Sequence, residues 1–553
     1  MPETLLVTFL SSSCPITNIS PLSRAEILFV IGISLLAIAL RCWDLSAIAV
    51  EHFDEGVYAS NLWFTADEGY RYPDRHLYAP PLLPTLIEWS LLIFGQASWV
   101  PALPSLIAGV CTIPLIWWMG RKLGGPLCGL SAAILLATND VHILYSRTAL
   151  TESLLCFFML LSVSLAHCTC LEQNAEARLS KRSIMLALLS GLMAGLAWLT
   201  KYNGWLSLAV IISGSGGWAL FSRMPIRQWK WLILHWLIIV AVALALWLPY
   251  MISLDEFGGY SAVAANHRQY FGGLGEWLPA LQRQVFNQYE LSSWTSIAGL
   301  FCVGFLAWNR SALERIIPTI KTKMISPSGC WLLASWCIGL TVAIPLYHPY
   351  PRLMVPWWIG ICLLLGLIAS KLPLGQASSL SRQQSEKQTG WKPVLPVAGM
   401  VFLILLTFMG PIVQAPPWEN RTKLRTIAVN DVQQAGEIAK LAGFRENEVI
   451  FYVYGEPAIF YHISAQNRLV GPIGHLDFAL PAARNSKVPT FLITGPHAEQ
   501  SNLFHKQWEK LGNEFELIKT EQAIPSRLVQ LNNENSMQLS DPGSYRLYQL
   551  KPL

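Results

Sequence analysis

Apolar runs of membrane-crossing length recur along the chain up to about residue 412. A spanning helix needs about 20 mainly apolar residues, and such runs lie at 26–43, 100–119, 126–143, 150–169, 184–200, 204–221, 231–250, 292–308, 329–346, 353–371 and 394–412. These eleven segments predict a polytopic α-helical membrane protein. A further apolar stretch, 81–95, is short, begins at Pro80-Pro81 and carries Glu88 at its middle. A carboxylate facing lipid at the bilayer centre costs about 2.5 kcal/mol or more, so an interfacial helix is the cheaper assignment. From residue 413 the pattern changes. Residues 426–442 read as an amphipathic helix, 449–454 as a strand, 489–494 as a buried strand, 499–511 as a helix and 545–550 as a closing strand. The expected organisation is a membrane domain over 1–412 and a small α/β domain over 413–553. The polar stretch 374–392 is the linker-like, low-complexity segment, and no transporter-type repeat is evident.

Composition agrees with this pattern. Apolar residues make up 53% and charged residues 13% of the 553, with a mean hydropathy of +0.40; soluble proteins carry about 25% charged residues. A net charge of +5 is too slight to suggest a polyanion-binding surface, so nucleic acid is not an expected partner. The 11 cysteines sit almost entirely in apolar stretches and form no paired metal-binding spacing, which makes them core thiols. Residues 1–23 contain Glu3 and no basic residue, unlike a cleavable signal peptide, so the first helix is expected to stay. With a cytoplasmic N-terminus, the clusters Arg121-Lys122, Arg178 to Arg182, Arg223 to Lys230 and Arg310 to Lys323 all fall inside, as the positive-inside rule requires. Counting 81–95 as a span would put the later clusters outside. The outer side then receives loops 44–99, 144–149 and 251–291 and the C-terminal domain.

Unusual charges gather on that outer side. The first loop opens Glu51-His52-Phe53-Asp54-Glu55-Gly56-Val57-Tyr58. Its three carboxylates repel one another, so at least one needs a raised pKa unless it meets a cation or hydrogen-bond donors. In a helix Asp54 and Tyr58 share a face. A solvated acidic turn would explain the same residues. The second loop holds Asp140, His142, Arg147 and Glu152; Glu152, slightly inside the next helix, wants a partner, and Arg147 is near enough to serve as a plain structural pair. Lys201 ends an apolar span, where snorkelling to headgroups would account for it. His348 and Arg352 lie in Tyr347-His348-Pro349-Tyr350-Pro351-Arg352, and a guanidinium at headgroup depth suits a lipid phosphate. The chain contains no phosphate-binding Gly-x-x-x-x-Gly-Lys-Ser/Thr loop, no Asp-x-Asp pair, no serine nucleophile elbow and no His-Glu-x-x-His helix. Gly191-x-x-x-Gly195 reads as close helix packing.

Four pieces in order, His52 to Tyr58, Tyr145 to Glu152, Gly195 to Gly204 and Tyr350 to Pro356, resemble the C-type (GT-C) integral-membrane glycosyltransferases, in the branch of protein O-mannosyltransferases and lipid A aminoarabinose transferases. The resemblance spans about residues 26–370. It implies a GT-C-like fold and transfer of a sugar from a polyprenyl-phosphate donor to an acceptor hydroxyl of a protein, lipid or glycan on the non-cytoplasmic side. By that likeness Asp54 matches the acid taken as base, Glu55 its neighbour and Glu152 the second-loop acid. No cofactor is implied, a divalent metal being left open. Two positions depart from the pattern: Ala79 stands where relatives have a lysine before Pro-Pro-Leu, and Ala102 where an arginine often precedes Leu-Pro-Ser. Donor phosphate contacts are then expected from Arg352, His348 and Lys201, with His52, Tyr58 and Arg147 also in the substrate site. A lipid or ion transporter and a non-catalytic assembly subunit are the rival readings; the first predicts midplane charges and repeated halves.

Overall fold

The computed structural model describes residues 22–60, 79–176, 180–321, 326–371, 415–466, 468–473, 476, 488–523, 526, 528–529 and 543–551. Helix α1 (Arg24–Cys42) starts at Ser23, whose hydroxyl accepts the Glu26 N–H. Two short helices follow, α2 (Phe53–Ala59) and α3 (Leu82–Phe94). The bundle continues through α4 (Leu103–Gly124), α5 (Pro126–Ala137), α6 (Asp140–Ser146), α7 (Glu152–Glu176), α8 (Lys181–Thr200), α9 (Leu206–Phe221) and α10 (Ile226–Ser253). It is completed by α11 (Gly259–Arg268), α12 (Trp277–Glu290), α13 (Trp294–Trp308), α14 (Pro327–Ala343) and α15 (Val355–Lys371).

Among the described residues, 8 helices are long and apolar enough to cross a membrane, or up to 10 if each of two bent pairs is one span. The sequence pattern suggested eleven; one of them, 394–412, lies outside the described residues. The stretch 126–143 is not one straight helix but α5 and α6, bent by 62°, and 292–308 is the second arm of α12 and α13, bent by 90°. Local capping explains both breaks. Asn139 Oδ1 accepts from His142 N at 2.8 Å to open α6, and Ser293 Oγ accepts from Thr295 N to open α13. A single buried carboxylate then ties the two bends together. Asp140 accepts from Ser293 N at 2.6 Å, Ser293 Oγ and Ser296 Oγ at 2.8 Å each, the Thr295 hydroxyl, and Trp418 Nε1 at 2.9 Å. Burial of a carboxylate is tolerable when it is this fully hydrogen-bonded.

Helix α3 is the short apolar helix expected at 81–95, with 13 residues; Leu83, Ile87 and Ser90 are buried, and Trp89, Leu92 and Ile93 are exposed. Gly191 and Gly195 let α8 close on α10, since a methyl group at either would meet Ile239, Val242 or Leu246. At the bundle end opposite to α2, Glu26 pairs with Arg121 at 2.8 Å.

The C-terminal part comprises α16 (Lys423–Leu441), β1 (Ile450–Tyr454), α17 (Pro457–Ser464), β2 (Leu469–Ile473), β3 (Thr490–Thr494), α18 (Asn502–Leu511), β4 (Phe515–Ala523) and β5 (Gly543–Leu550). The sheet order is β2-β1-β3-β5-β4, with β2, β1 and β3 parallel and β5 antiparallel to β3 and β4. The helices at α16 and α18 and the strands β1, β3 and β5 agree with the sequence pattern. Helix α17, β2 and β4 do not show there, because β2 contains Gly471 and Pro472 and β4 is a largely polar edge strand. Side chains alternate across the sheet. Phe451, Val453, Phe491 and Ile493 join the main core, whereas Tyr454, Leu492 and Phe515 pack with Phe504 and Trp508 on the other face.

Helix α17 packs directly on α2. The approach is so close that a Cβ at Gly56 would overlap the Pro457 and Ala458 backbone. Gly56→Ala is therefore expected to destabilise the protein by about 1–3 kcal/mol through overpacking. A lower melting temperature of the full-length chain in detergent, with faster proteolysis of the 415–551 region, is the readout; an unchanged melting temperature would contradict this docking.

Candidate active site

The acidic loop after α1 folds into α2 because His52 caps it: His52 Nδ1 accepts from Asp54 N at 3.1 Å, and Glu55 Oε2 reaches back to His52 N at 2.9 Å. This capping box separates the three loop carboxylates. Asp54 turns toward Arg352, with Oδ2 2.5 Å from Nη1. Glu55 turns inward, where its oxygens accept from Ala149 N at 2.8 Å, Glu51 N at 3.1 Å and the Arg421 guanidinium. Glu51 accepts from Lys423 N at 2.9 Å. The repulsion evident in the sequence is thus relieved by three different sets of donors.

The second loop supplies Glu152 at the first position of α7. Glu152 is 1% exposed and pairs with Lys201 Nζ at 2.6 Å. Lys201 is delivered by the end of α8, and Arg352 by the Pro351–Met354 turn ahead of α15. Lys201 adds to the positive field at Asp54, and Glu152 to the negative field at Arg352, so the two ion pairs form one electrostatic cluster. Tyr58, on the Asp54 face of α2, also acts on Arg352. Arg352 lies over the Tyr350 ring at 4.9 Å, and His348 packs its ring on Tyr350 with centroids 4.5 Å apart. Burial pushes the Asp54 carboxyl up, but the Arg352 guanidinium, helped by the Lys201 ammonium, outweighs it and holds the group below the ordinary carboxylate value. Burial holds His52 low, so its ring is neutral and can accept from Asp54 N.

Two expected roles change. Arg147 is not the partner of Glu152: fully buried, it donates to the carbonyls of Arg41 at 2.9 Å and Trp43 at 2.6 Å and lies over Trp418 at 5.5 Å. Its fork closes the turn after α1, and the longer reach from α8 leaves Lys201 to meet Glu152. Arg147 therefore does not line the Asp54 cluster. Nor is Glu55 an open acid beside Asp54, since its oxygens accept from structural donors in three parts of the chain. Ala79 and Ala102, at the two departing positions, are buried and add no charge.

Three contributors were missed in the sequence. Arg421, 1% exposed, comes from the segment just ahead of α16 and also donates to Arg147 O at 2.9 Å. Tyr202 hydrogen-bonds Tyr250 through the hydroxyls at 2.9 Å. His267, on α11, packs against Tyr202 with centroids 5.6 Å apart and feels the charges of Lys201, Arg352 and Asp54; burial lowers its pKa. Arg421 and His267 have no local motif, and Tyr202 lies in the Gly195 to Gly204 piece without a charge to single it out; the chain path brings them here. Among the described residues, no group of 3 or more His, Cys, Asp or Glu is arranged to hold a metal ion.

Residues 78–252 match the family described as dolichyl-phosphate-mannose-protein mannosyltransferase. No curated protein sequence matches the chain. In fold the chain is similar to ArnT from Cupriavidus metallidurans, solved bound to undecaprenyl phosphate, with 14% identity over 95% of this chain and 98% of that one and a TM-score of 0.55. It is also similar to the archaeal oligosaccharyltransferase AglB from Archaeoglobus fulgidus, solved with an inhibitory peptide and a dolichol-phosphate, with 14% identity over 86% and 70% of the two chains and a TM-score of 0.51.

Because Glu55 and Arg421 are a fully buried pair, breaking one side leaves an uncompensated charge. Arg421→Met is expected to cost about 3–5 kcal/mol, and Glu55→Gln combined with Arg421→Met appreciably less than the sum of the two single changes. Thermal denaturation of the four proteins checks this; additive losses would show that the pair does not couple the segments.

Proposed function

We propose that this chain, which has the GT-C fold of the O-mannosyltransferase and ArnT type, transfers a sugar from a polyprenyl-phosphate donor to an acceptor hydroxyl on the non-cytoplasmic side of the membrane. The observation that carries the reading is the meeting of Asp54, Arg352, Glu152 and Lys201 from four separate segments at one end of the bundle. The family match and the undecaprenyl phosphate bound by ArnT support the donor class. The positive-inside pattern supports a cytoplasmic N-terminus and an outer C-terminal domain, with a domain boundary near residue 413.

The reaction is a single displacement with inversion. The acceptor oxygen bonds to the anomeric carbon as the bond from that carbon to the phosphate oxygen breaks, and the lipid phosphate leaves with the electron pair. The acceptor proton passes to Asp54. Arg352 and Lys201 are cations placed to hold phosphate oxygens and to stabilise the charge that grows on them without reorganisation. Donor binding draws Arg352 from Asp54 toward phosphate, which removes the cation that keeps the carboxylate weakly basic. Glu152, held by Lys201, orients the base or the acceptor; His52 fixes the backbone at Asp54, while Tyr58 and His348 flank Arg352. A cleft of about 330 Å³ lined by Leu86, Trp89, Leu103, Leu154, Phe157 and Phe158 runs beside the first turns of α7. Its apolar lining suits an isoprenoid tail.

Asp54→Asn is expected to lower transfer from a radiolabelled polyprenyl-phosphate sugar by about 10²- to 10⁴-fold while the protein still inserts and melts normally. Full activity would remove Asp54 as the base, and movement of the lipid across the bilayer without transfer would favour a flippase. The pH profile gives an independent check. With Arg352 present the Asp54 pKa lies below its ordinary value, so the carboxylate is ionised above it and kcat/KM falls only on strong acidification. In Arg352→Gln burial acts without the cation, and the acid limb should move up by about 1 pH unit or more. An unmoved limb would dissociate Arg352 from the ionisation of Asp54.

A further inference from the structure

Helix α12 is built inside out. Its buried stripe is Ala280, Gln284, Asn287 and Gln288, at i, i+4, i+7 and i+8, whereas Leu278, Val285 and Phe286 are exposed. Three amides are thus 5% exposed or less on a face where a packed helix ordinarily carries apolar side chains. A buried amide is costly unless it is hydrogen-bonded, so the groups these amides meet show what they are there for. Asn287 Nδ2 donates to Pro349 O at 2.9 Å, and Gln288 Nε2 donates to Pro351 O at 3.4 Å. Gln288 is held in turn, because its Oε1 accepts from Trp358 Nε1 at 2.8 Å.

Those two carbonyls bracket the turn that carries Arg352. Pro349 and Pro351 have no N–H, so the strap from Tyr347 to Arg352 is held largely through its carbonyls. The segment leading into α12 grips the rest of it. His348 N donates to Tyr270 O at 2.7 Å, Gly272 N donates to Leu346 O at 3.0 Å, and Phe271 and Tyr347 form an antiparallel bridge. At the start of α12, Trp277 Nε1 donates to Val342 O at 2.9 Å. Just past its end, Ser293 donates through both N–H and hydroxyl to the buried Asp140 carboxylate. Helix α12 is therefore a fixed arm between Asp140 and the turn from which Arg352 reaches Asp54. A displacement of about 1 Å in a group that orients a substrate can lower a rate by as much as 10²-fold, so the anchoring of this turn matters.

We propose that Asn287 and Gln288 are positioning residues for the donor: by holding the Pro349 and Pro351 carbonyls they place the Arg352 guanidinium where it meets a lipid phosphate. The proposal rests on the reading of Arg352 as a phosphate ligand given above and adds the residues that set its place. Both amides act through the backbone of the turn; their donors go to its carbonyls and leave the guanidinium to Asp54. Gln284 separates this role from plain packing of α12. It is 0% exposed on the same stripe, and among the described residues its amide makes no hydrogen bond.

Titration of undecaprenyl phosphate into the full-length protein in detergent, read by native mass spectrometry, tests this without turnover, with the melting temperature of each variant measured in parallel. Arg352→Gln should weaken binding by about tenfold or more. Asn287→Leu should weaken it by about three- to tenfold, and Gln288→Met, which breaks the longer bond, by less. In the Arg352→Gln background neither change should weaken binding further, because both act through the guanidinium. Asn287→Gln, whose amide can still donate, should recover part of the loss, and Gln284→Leu should bind like the parent. If Asn287→Leu does not fold, Gln288→Met carries the same comparison. Parent-like affinity in the clamp variants, losses that add to that of Arg352→Gln, or an equal loss in Gln284→Leu overturns the proposal alone. Parent-like binding by Arg352→Gln, or no binding by the parent, overturns the phosphate reading of Arg352 together with it.

Discussion

The buried carboxylate of Glu55 is the constraint on which the outer end of the molecule depends. Its two oxygens accept from the backbone of its own loop, from Ala149 in the second loop and from Arg421 ahead of the C-terminal domain. Three segments more than 90 residues apart from one another in the chain meet at one side chain that water does not reach. An ion pair so buried gains little over a well-packed apolar pair, yet it is costly to break. Its effect is to permit one arrangement of the loops, the one in which Asp54 on the same helical turn faces the other way.

That division of labour between adjacent acids resolves the electrostatic problem posed by Glu51, Asp54 and Glu55. Two of them are absorbed by the scaffold, and Asp54 alone is left toward Arg352 and the second ion pair of Glu152 with Lys201. The charges of the cluster nearly balance before any substrate arrives, so the site can be partly desolvated without a large penalty. In the reaction proposed above, a lipid phosphate would replace Asp54 as the partner of Arg352, which would couple donor binding to activation of the base.

The C-terminal domain belongs to the same construction. Trp418 reaches Asp140, where the bends of two broken helices meet, Arg421 reaches Glu55, and α17 lies on Gly56. The inner face of its sheet shares the apolar core of the bundle. A domain fixed at this many points is a wall of the site, and His497 packs its ring on Phe53, next to Asp54.

Much of this was legible in the amino-acid order. Periodicity and length marked most of the membrane helices, the short helix after Pro81 and the strands β1, β3 and β5, because burial in lipid or in a core leaves a local imprint. The acids Asp54 and Glu152 and the cations Lys201 and Arg352 stood out as charges where charge is expensive. Pairing was another matter. Sequence proximity suggested Arg147 for Glu152, whereas the ion pair is made by Lys201, 49 positions away, and Glu55 is met by Arg421 from 366 positions away. The breaks at Asn139 and Ser293, both tied to Asp140, and the edge strands β2 and β4 likewise carry no strong local pattern. Solvent avoidance acts on each segment by itself and can be read along the chain; which donor satisfies a buried carboxylate depends on distances in space, and these exist only once the helices have packed.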